Sequence, residues 1–181
     1  MMLEPVARFR PSHFRVKFVT LAWEQRQCAA LRRQVFCEEQ GIFEGDDRDA
    51  IDARAIPICA LSTLGAELDA VVGTVRIHEV PERPGEWWGS RLAVARPFRG
   101  TAALGAGLIQ VAVCSAHARG CTRFLAHVQS RNVPLFESLH WTGLEEVELH
   151  GHPHSLMQAD LSAYPPLHDP ELGVITLARA A

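Results

Sequence analysis

Between Leu92 and Gly107 the sequence gathers the means to hold a phosphate group. An apolar run, Leu92-Ala93-Val94, leads to Pro97-Phe98-Arg99-Gly100 and then to Ala103-Leu104-Gly105-Ala106-Gly107, with Leu108-Ile109 beyond. A strand, a basic glycine-bearing turn and a helix in direct succession leave the first helical N–H groups without intrahelical partners. The helix dipole adds partial positive charge at that point, and phosphates bind there. Spacing excludes two phosphate motifs. A Walker loop ends in Gly-Lys-Ser/Thr, and no lysine lies in this region. A dinucleotide fingerprint needs a third glycine three residues after the second, where Gln110 stands after Gly107.

A second concentration of chemistry is acidic. Glu38-Glu39-Gln40-Gly41 ends a predicted helix and opens into Glu44, Asp46, Asp47, Asp49 and Asp52. Such charge would attract an amine as its cation and could take its proton. The plainer alternative is a solvated loop whose carboxylates pair with Arg48 and Arg54. His127 shares a strand face with Leu125 and Gln129, and an ordinary imidazole pKa of about 6.5 suits proton transfer near neutrality. A lone strand histidine is also common as a plain core or surface residue. His150-Gly151-His152-Pro153-His154 presents alternating imidazoles, but Gly151 and Pro153 suggest a turn and no nearby cysteine completes a zinc set. No metal is expected. Cys114 and Cys121 read as small buried apolar residues rather than nucleophiles. Trp87 and Trp88 are adjacent, so alternation sends one to the core and leaves the other to wall a site.

The strand–turn–helix segment resembles motif A of the GCN5-related N-acetyltransferases, usually Arg/Gln-x-x-Gly-x-Gly/Ala. Ala103-Leu104-Gly105 aligns with its Gly-x-Gly, because Leu108-Ile109 and the helix-ending Gly120 then fall at the family's distances. Ala103 replaces the first glycine, and Arg99 stands one residue further away than usual. Asn132, Phe136-Glu137-Ser138-Leu139 and His140-Trp141 match the family's Asn…Tyr-Glu-x-Leu-Gly-Phe segment. The resemblance covers roughly residues 13–161. It implies an N-acetyltransferase with acetyl-CoA as co-substrate, moving the acetyl group to a small-molecule amine by direct ternary-complex transfer. It also implies that Leu92, Ala93 and Val94 meet pantetheine, and that Arg99, Gly100, Ala103, Leu104, Gly105 and Ala106 line the pyrophosphate loop. Asn132 and Phe136 belong to the same cofactor side.

Acyl transfer to an amine requires a base for the ammonium and an acid for the departing thiolate. Glu39, Glu86 and His127 are the base candidates. The family's acid is a tyrosine where this chain has Phe136, and the one tyrosine in the chain is Tyr164. Tyr164 folding back, protonation by water or another group, and loss of catalysis all remain open. Arg32-x-x-Val35-Phe36-x-x-Glu39-Gln40 with Asp49-x-x-Asp52 is similar to one subset of these acetyltransferases and to the acyl-homoserine-lactone synthases. The latter share the fold and hold an aminoacyl donor with acidic residues. The alternatives are therefore a lactone-synthase-like acyltransferase and a catalytically silent acyl-CoA-binding module. Strings such as Asp49-Ala50-Ile51-Asp52-Ala53, Gly120-Cys121-Thr122-Arg123-Phe124-Leu125-Ala126 and Leu156-Met157-Gln158-Ala159-Asp160-Leu161 resemble a bacterial subgroup. These are the nitrogen-starvation N-acetyltransferases of nitrilase gene clusters, which implies a role in nitrogen metabolism.

The elements that must position these groups follow from periodicity. Strands are expected at residues 13–19, 55–61, 68–80, 87–94 and 124–129, the second and third joined near Thr63-Leu64-Gly65. Helices are expected from Trp23 to about Glu39, from about Ala102 to Arg119, and from Val133 to Leu139. Gly120 suits a left-handed helix stop. Leu144–Leu149 and Ser155–Leu161 read as a hairpin around Gly151-His152-Pro153. The fold class is a mixed α/β (α+β) arrangement, which the resemblance refines to a mostly antiparallel sheet with splayed central strands and flanking helices. One domain spans residues 1–181, with a core at about 13–161 and an irregular tail at 162–181 that carries Pro165, Pro166 and Pro170.

Composition narrows the partners. Hydrophobic residues make up 48% and charged residues 22% of 181, ordinary for a soluble domain. A net charge of −3 gives no basic surplus for nucleic acid or an anionic membrane. No run is long and apolar enough for a membrane span, and residues 1–10 lack a signal-peptide core. Five scattered cysteines suggest reduced thiols and a cytoplasmic location. A homodimer is expected by analogy, since family members often pair.

Overall fold

Eight segments rich in β-branched and aromatic residues join one sheet. They are β1 (His13–Phe18), β2 (Ile56–Leu64), β3 (Glu67–Glu79), β4 (Glu86–Val94), β5 (Arg123–Gln129), β6 (Trp141–Leu149), β7 (His152–Ala159) and β8 (Val174–Leu177). The computed structural model describes residues 11–64, 67–100 and 103–177. Gly65, expected in a turn, and Ala102, expected to open the long helix, lie outside the described residues. So do residues 1–10, read for a signal peptide, and the end of the tail at 178–181.

The strand order is β6-β7-β5-β4-β3-β2-β1-β8. Every neighbouring pair is antiparallel except β4 and β5, which run parallel. This is the expected mixed, mostly antiparallel sheet with helices on its faces. Helix α1 (Ala22–Arg33) packs on the front face, where Cys28 and Leu31 meet Cys59, Leu61, Val71 and Ala93. It continues into a π-helical turn, Gln34–Glu39, so the helix expected to reach Glu39 changes winding at its last turn. Helix α2 (Leu104–Ala118) covers the rear face, with Leu104, Leu108, Val111, Val113 and Ala116 all buried. A helix apolar on every side must be covered on every side. Here the sheet covers one side and the segment after β7 covers the other, where Leu167 N–H donates to the Cys114 carbonyl at 3.0 Å.

The tail departs from expectation. Val174–Leu177 is β8, paired with β1 from His13↔Leu177 to Val16↔Val174. Its four residues alternate half-buried and exposed, as an edge strand should, and the prolines end at Pro170, before it begins. Gly107 fits this corner. A β-carbon there would come within 2.9 Å of Thr176 Oγ1, so the glycine lets α2 lie against β8. The β6–β7 turn is also tighter than expected, since Leu149 pairs with His152 and only His150 and Gly151 turn, both at positive φ. That is the signature of a two-residue hairpin loop. No helix among the described residues is long and apolar enough to cross a membrane.

Candidate active site

The parallel pair β4–β5 stays in register only from Glu86↔Arg123 to Gly89↔Ala126. Directly after Ser90, β4 carries a bulge. Ser90 pairs with Arg76 and Ala93 with Thr74, so Arg91 and Leu92 face the single residue Val75. A bulge bends its strand and ends local pairing, and here it turns β4 away from β5. Arg91 holds a left-handed φ of 56°, costly for a side chain of this size. Its guanidinium secures the conformation by pairing with Asp47 at 2.9 Å and Asp49 at 3.2 Å and lying over the Phe43 ring at 4.5 Å.

The splay opens a cleft of about 550 Å³ that passes between the strands from rear to front. Its rear wall is apolar, with Ile109, Ala112 and Val113 of α2, Phe124, Phe136 and Trp141. The front wall holds Trp88, His78, His127, His154, Gln40 and Phe43. Leu92 and Asn132 also border the cleft. The Ala95 N–H donates to Val72 at 2.8 Å, so alternation turns the N–H and C=O of Val94 the other way, toward the splay. The Val94 carbonyl there accepts from Arg99 Nε at 2.8 Å.

Helix α2 begins after Ala103 without a side-chain cap, and among the described residues its first bonded N–H is that of Gly107, to Ala103. Among the described residues the N–H groups of Leu104, Gly105 and Ala106 have no backbone acceptor, as expected of the first turn of a helix. Gly105 leaves its side open, since a β-carbon would meet only Leu135 Cδ2 of α3 (Val133–Ser138) at 3.7 Å. Gly100 has a left-handed φ of 76° and nothing within 4 Å of a β-carbon. These features fit a diphosphate. Arg99 is turned to Glu39, with Nη2 2.8 Å from Oε2.

The structure places the other candidates unevenly. Ala93 is buried against α1, and Leu104 is fully buried in the rear core. Glu39 pairs with Arg99, and the adjacent Gln40 is the residue that lines the cleft. Glu86 lies beneath the front wall, 6% exposed, with Arg83 at 3.0 Å, Arg123 at 3.6 Å and the Trp88 indole N–H at 2.9 Å. Tyr164 folds back into the rear core behind Trp141. Its hydroxyl donates to the Leu139 carbonyl and accepts from Trp141 Nε1 at 3.0 Å. Burial raises its pKa, which makes it a weaker proton donor. His127 is the base candidate that borders the cleft, its ring 5.0 Å from that of Trp88. Partial burial and the nearby His154 lower its pKa against the opposing pull of Glu145, so it is held neutral and ready to accept a proton.

The acidic loop is neutralised from an unexpected direction. Arg32 pairs with Asp47 at 2.8 Å and Asp52 at 2.6 Å, and Arg76 with Asp49 at 2.7 Å and Asp52 at 2.8 Å. With Arg91, three guanidiniums alternate with three carboxylates. Among the described residues Arg48 reaches only Asp46, at 4.0 Å. The Arg76 guanidinium holds the Asp49 carboxyl below its ordinary range despite burial. Burial would raise Asp52, but Arg32, the Asp49 N–H and Arg76 outweigh it and hold it well below. The network clamps residues 47–52 over the front of the sheet as one wall of the cleft. Sequence reasoning missed Arg76, Arg91 and His78. The signal lay in charged residues set within the apolar runs of β3 and β4, positions that rarely hold an unpaired charge.

Trp87 is buried in the core while Trp88 lines the cleft. Among the described residues no group of three or more histidine, cysteine or acidic side chains is arranged to hold a metal. Burial pushes the Cys114 and Cys121 thiols up to about 11, away from nucleophilic use.

A splayed parallel pair, a cleft through the sheet and an open helix N-terminus at the splay define an acyl-CoA-dependent acyltransferase. The chain belongs to the acetyltransferase (GNAT) family, whose model matches residues 21–141. Sequence comparison with curated proteins finds no relative. Among solved structures, a provisionally assigned N-acetyltransferase of Lactobacillus plantarum is similar at 20% identity and a TM-score of 0.70, covering 81% of this chain and 97% of that one. Escherichia coli ElaA is similar at 19% identity and 0.68, covering 81% and 98%. The CoA-dependent acyl-homoserine lactone synthase BjaI, solved with SAM and isopentyl-CoA, is similar at 17% and 0.63, covering 83% and 85%.

Proposed function

We propose that this protein moves an acetyl group from acetyl-CoA to the amine of a small acceptor, by direct transfer in a ternary complex. The observation that carries this reading is the cleft between the splayed strands, bordered behind the sheet by Leu92 and by Ile109 of α2 and in front by the imidazole of His127. Leu92 and Val94 offer backbone groups to pantetheine, with Ala93 between them. Gly100, Ala103, Leu104, Gly105 and Ala106 form the pyrophosphate cradle, bordered by Asn132 and Phe136. A pyrophosphate there competes with Glu39 for the Arg99 guanidinium.

Acetyl-CoA supplies an activated acyl group as a thioester. His127 takes the ammonium proton, directly or through one water, leaving a neutral amine to form the new C–N bond as the C–S bond breaks. A β4 N–H at the splay donates to the carbonyl oxygen as negative charge gathers on it. The departing thiolate recovers a proton from the imidazolium at His127, and the second proton that the nitrogen loses as the amide forms passes through the regenerated imidazole to solvent. One group then serves as base and acid, and the tyrosine missing at Phe136 is not needed. Glu39 and Glu86 act through their arginine pairs, as supports of the cleft.

A reading as a lactone-synthase-like enzyme requires carboxylates free to hold a cationic donor, and Asp47, Asp49 and Asp52 are engaged by arginine. The subgroup resemblance supports a role in bacterial nitrogen metabolism, and the five scattered cysteines support a cytoplasmic location. The test is thiol release from acetyl-CoA across a panel of small primary amines. Saturable release with an N-acetylated product is expected. Tight acetyl-CoA binding with no release for any amine would instead make the protein a silent acyl-CoA-binding module.

A further inference from the structure

The charge bordering the front half of the cleft is basic. Arg54, Arg76, Arg83 and Arg91 border it, against the single carboxylate of Asp49. Arg76 and Arg91 are spent within the balanced network of three guanidiniums and three carboxylates described above. Arg83 and Arg123 share one carboxylate, Glu86. Arg54 caps the turn Ala50–Ala53, is exposed at the cleft, and its guanidinium has no hydrogen-bond or ion-pair partner among the described residues. Two positive charges at the front of the cleft are thus left uncompensated. Glu38, Glu39, Glu44, Asp46 and the β6 carboxylate Glu145 stand outside the cleft lining.

His78 adds an independent observation. It borders the same part of the cleft and is 7% exposed, and its Nδ1 is buried without a partner among the described residues. Burial, Arg54 and Arg76 lower its pKa, so it stays neutral and cannot itself balance or add charge near neutrality. A buried imidazole with an unmet ring nitrogen beside a free guanidinium is a polar site awaiting a ligand group.

Resting on the acetyl-transfer reading, we propose that the acceptor is an amine that also carries an anionic group, a carboxylate or a phosphate, with Arg54 and Arg83 as its counter-charges. Trp88 links the two ends of such a molecule. Its ring lies beside His127, and its indole N–H donates to Glu86, the carboxylate that holds Arg83. An acceptor laid across Trp88 meets the base with its amine and the arginines with its anion. The surplus positive charge also favours loss of the ammonium proton, since like charges disfavour the cationic form.

The experiment compares matched acceptors in the thiol-release assay: amino acids of increasing length against their own carboxamides, and phosphoethanolamine against ethanolamine. The anionic member of at least one pair is expected to show kcat/KM roughly ten- to a hundredfold above its neutral partner, the range for charge-assisted contacts. Arg54→Gln should collapse that ratio toward one, chiefly through KM. Equal use of both members, or a preference that survives Arg54→Gln, overturns the inference while leaving acetyl transfer intact. If no amine is turned over, acetyl transfer has failed, and the anionic compounds are titrated against intrinsic tryptophan fluorescence in the presence of CoA. Binding that Arg54→Gln abolishes then retains the anion site, and no binding removes it.

Discussion

The two halves of the cleft are built by different means. Behind the sheet the groups proposed to hold the cofactor are backbone amides and small side chains, drawn from the segment between the β4 bulge and the first turn of α2. In front, side chains converge from α1, the loop before β2, β3, β4, β5 and the β6–β7 hairpin. The rear half needs only an uncapped helix start and the absence of a side chain at Gly105. The front half needs Arg32, Arg76 and Arg91 to fasten residues 47–52 as its wall. A backbone site tolerates most sequence change around it, whereas a side-chain site fails when one anchor is lost.

Asp47→Asn should break the contrast most severely. Asp47 is 2% exposed between Arg32 and Arg91, and removing its charge leaves two part-buried guanidiniums short of a partner. A loss of about 3–5 kcal/mol is expected in urea unfolding, the usual cost of orphaning buried charge. A loss within experimental error would mean that the network does not hold the front wall. His127→Gln should reduce kcat on the order of a hundredfold, the lower range for a general base. Acetyl-CoA affinity should stay as in the wild type, because the rear half is untouched. An equal fall in both would place His127 on the cofactor side.

Tyr164→Phe comes next in size. It leaves the Leu139 carbonyl and the Trp141 indole N–H without their hydroxyl partner, at about 1–3 kcal/mol of stability. Its kcat should remain within roughly twofold of the wild type, and a collapse of kcat would restore this tyrosine as the acid. The mildest test is pH. His78 and His127 titrate below their ordinary 6.5 in the folded protein, so the unfolded chain binds protons first as pH falls. Asp49 and Asp52 behave likewise below their ordinary 3.8. Stability should therefore be greatest above pH 6.5, ease as the histidines of the unfolded chain charge, and fall further below pH 3.8. Melting temperatures that rise between pH 7 and 5 would reverse the sign.

Sequence and structure part company along the same line. The strand, turn and helix from Leu92 to Gly107 were legible because local spacing alone specifies them, and the mixed sheet follows from strand and helix periodicity. The Asp47–Asp49–Asp52 network was not, because its arginines come from positions 32, 76 and 91, which nothing local connects. β8 was hidden behind three prolines that end before it starts. Tyr164 could be singled out by elimination, but its burial behind Trp141 depends on how the segment after β7 covers α2.

Calorimetric titration of acetyl-CoA into the wild type, Gly105→Asp and His127→Gln tests the two-half cleft most directly. Asp at position 105 puts negative charge among the first α2 amides without steric conflict at its β-carbon, whose nearest neighbour is at 3.7 Å. Negative charge near a helix start also suits the helix, so folding is preserved. The account predicts binding by the wild type and by His127→Gln, and affinity weakened by about tenfold or more in Gly105→Asp. Equal binding by all three proteins would contradict it, because the diphosphate would then be held somewhere other than the α2 N-terminus.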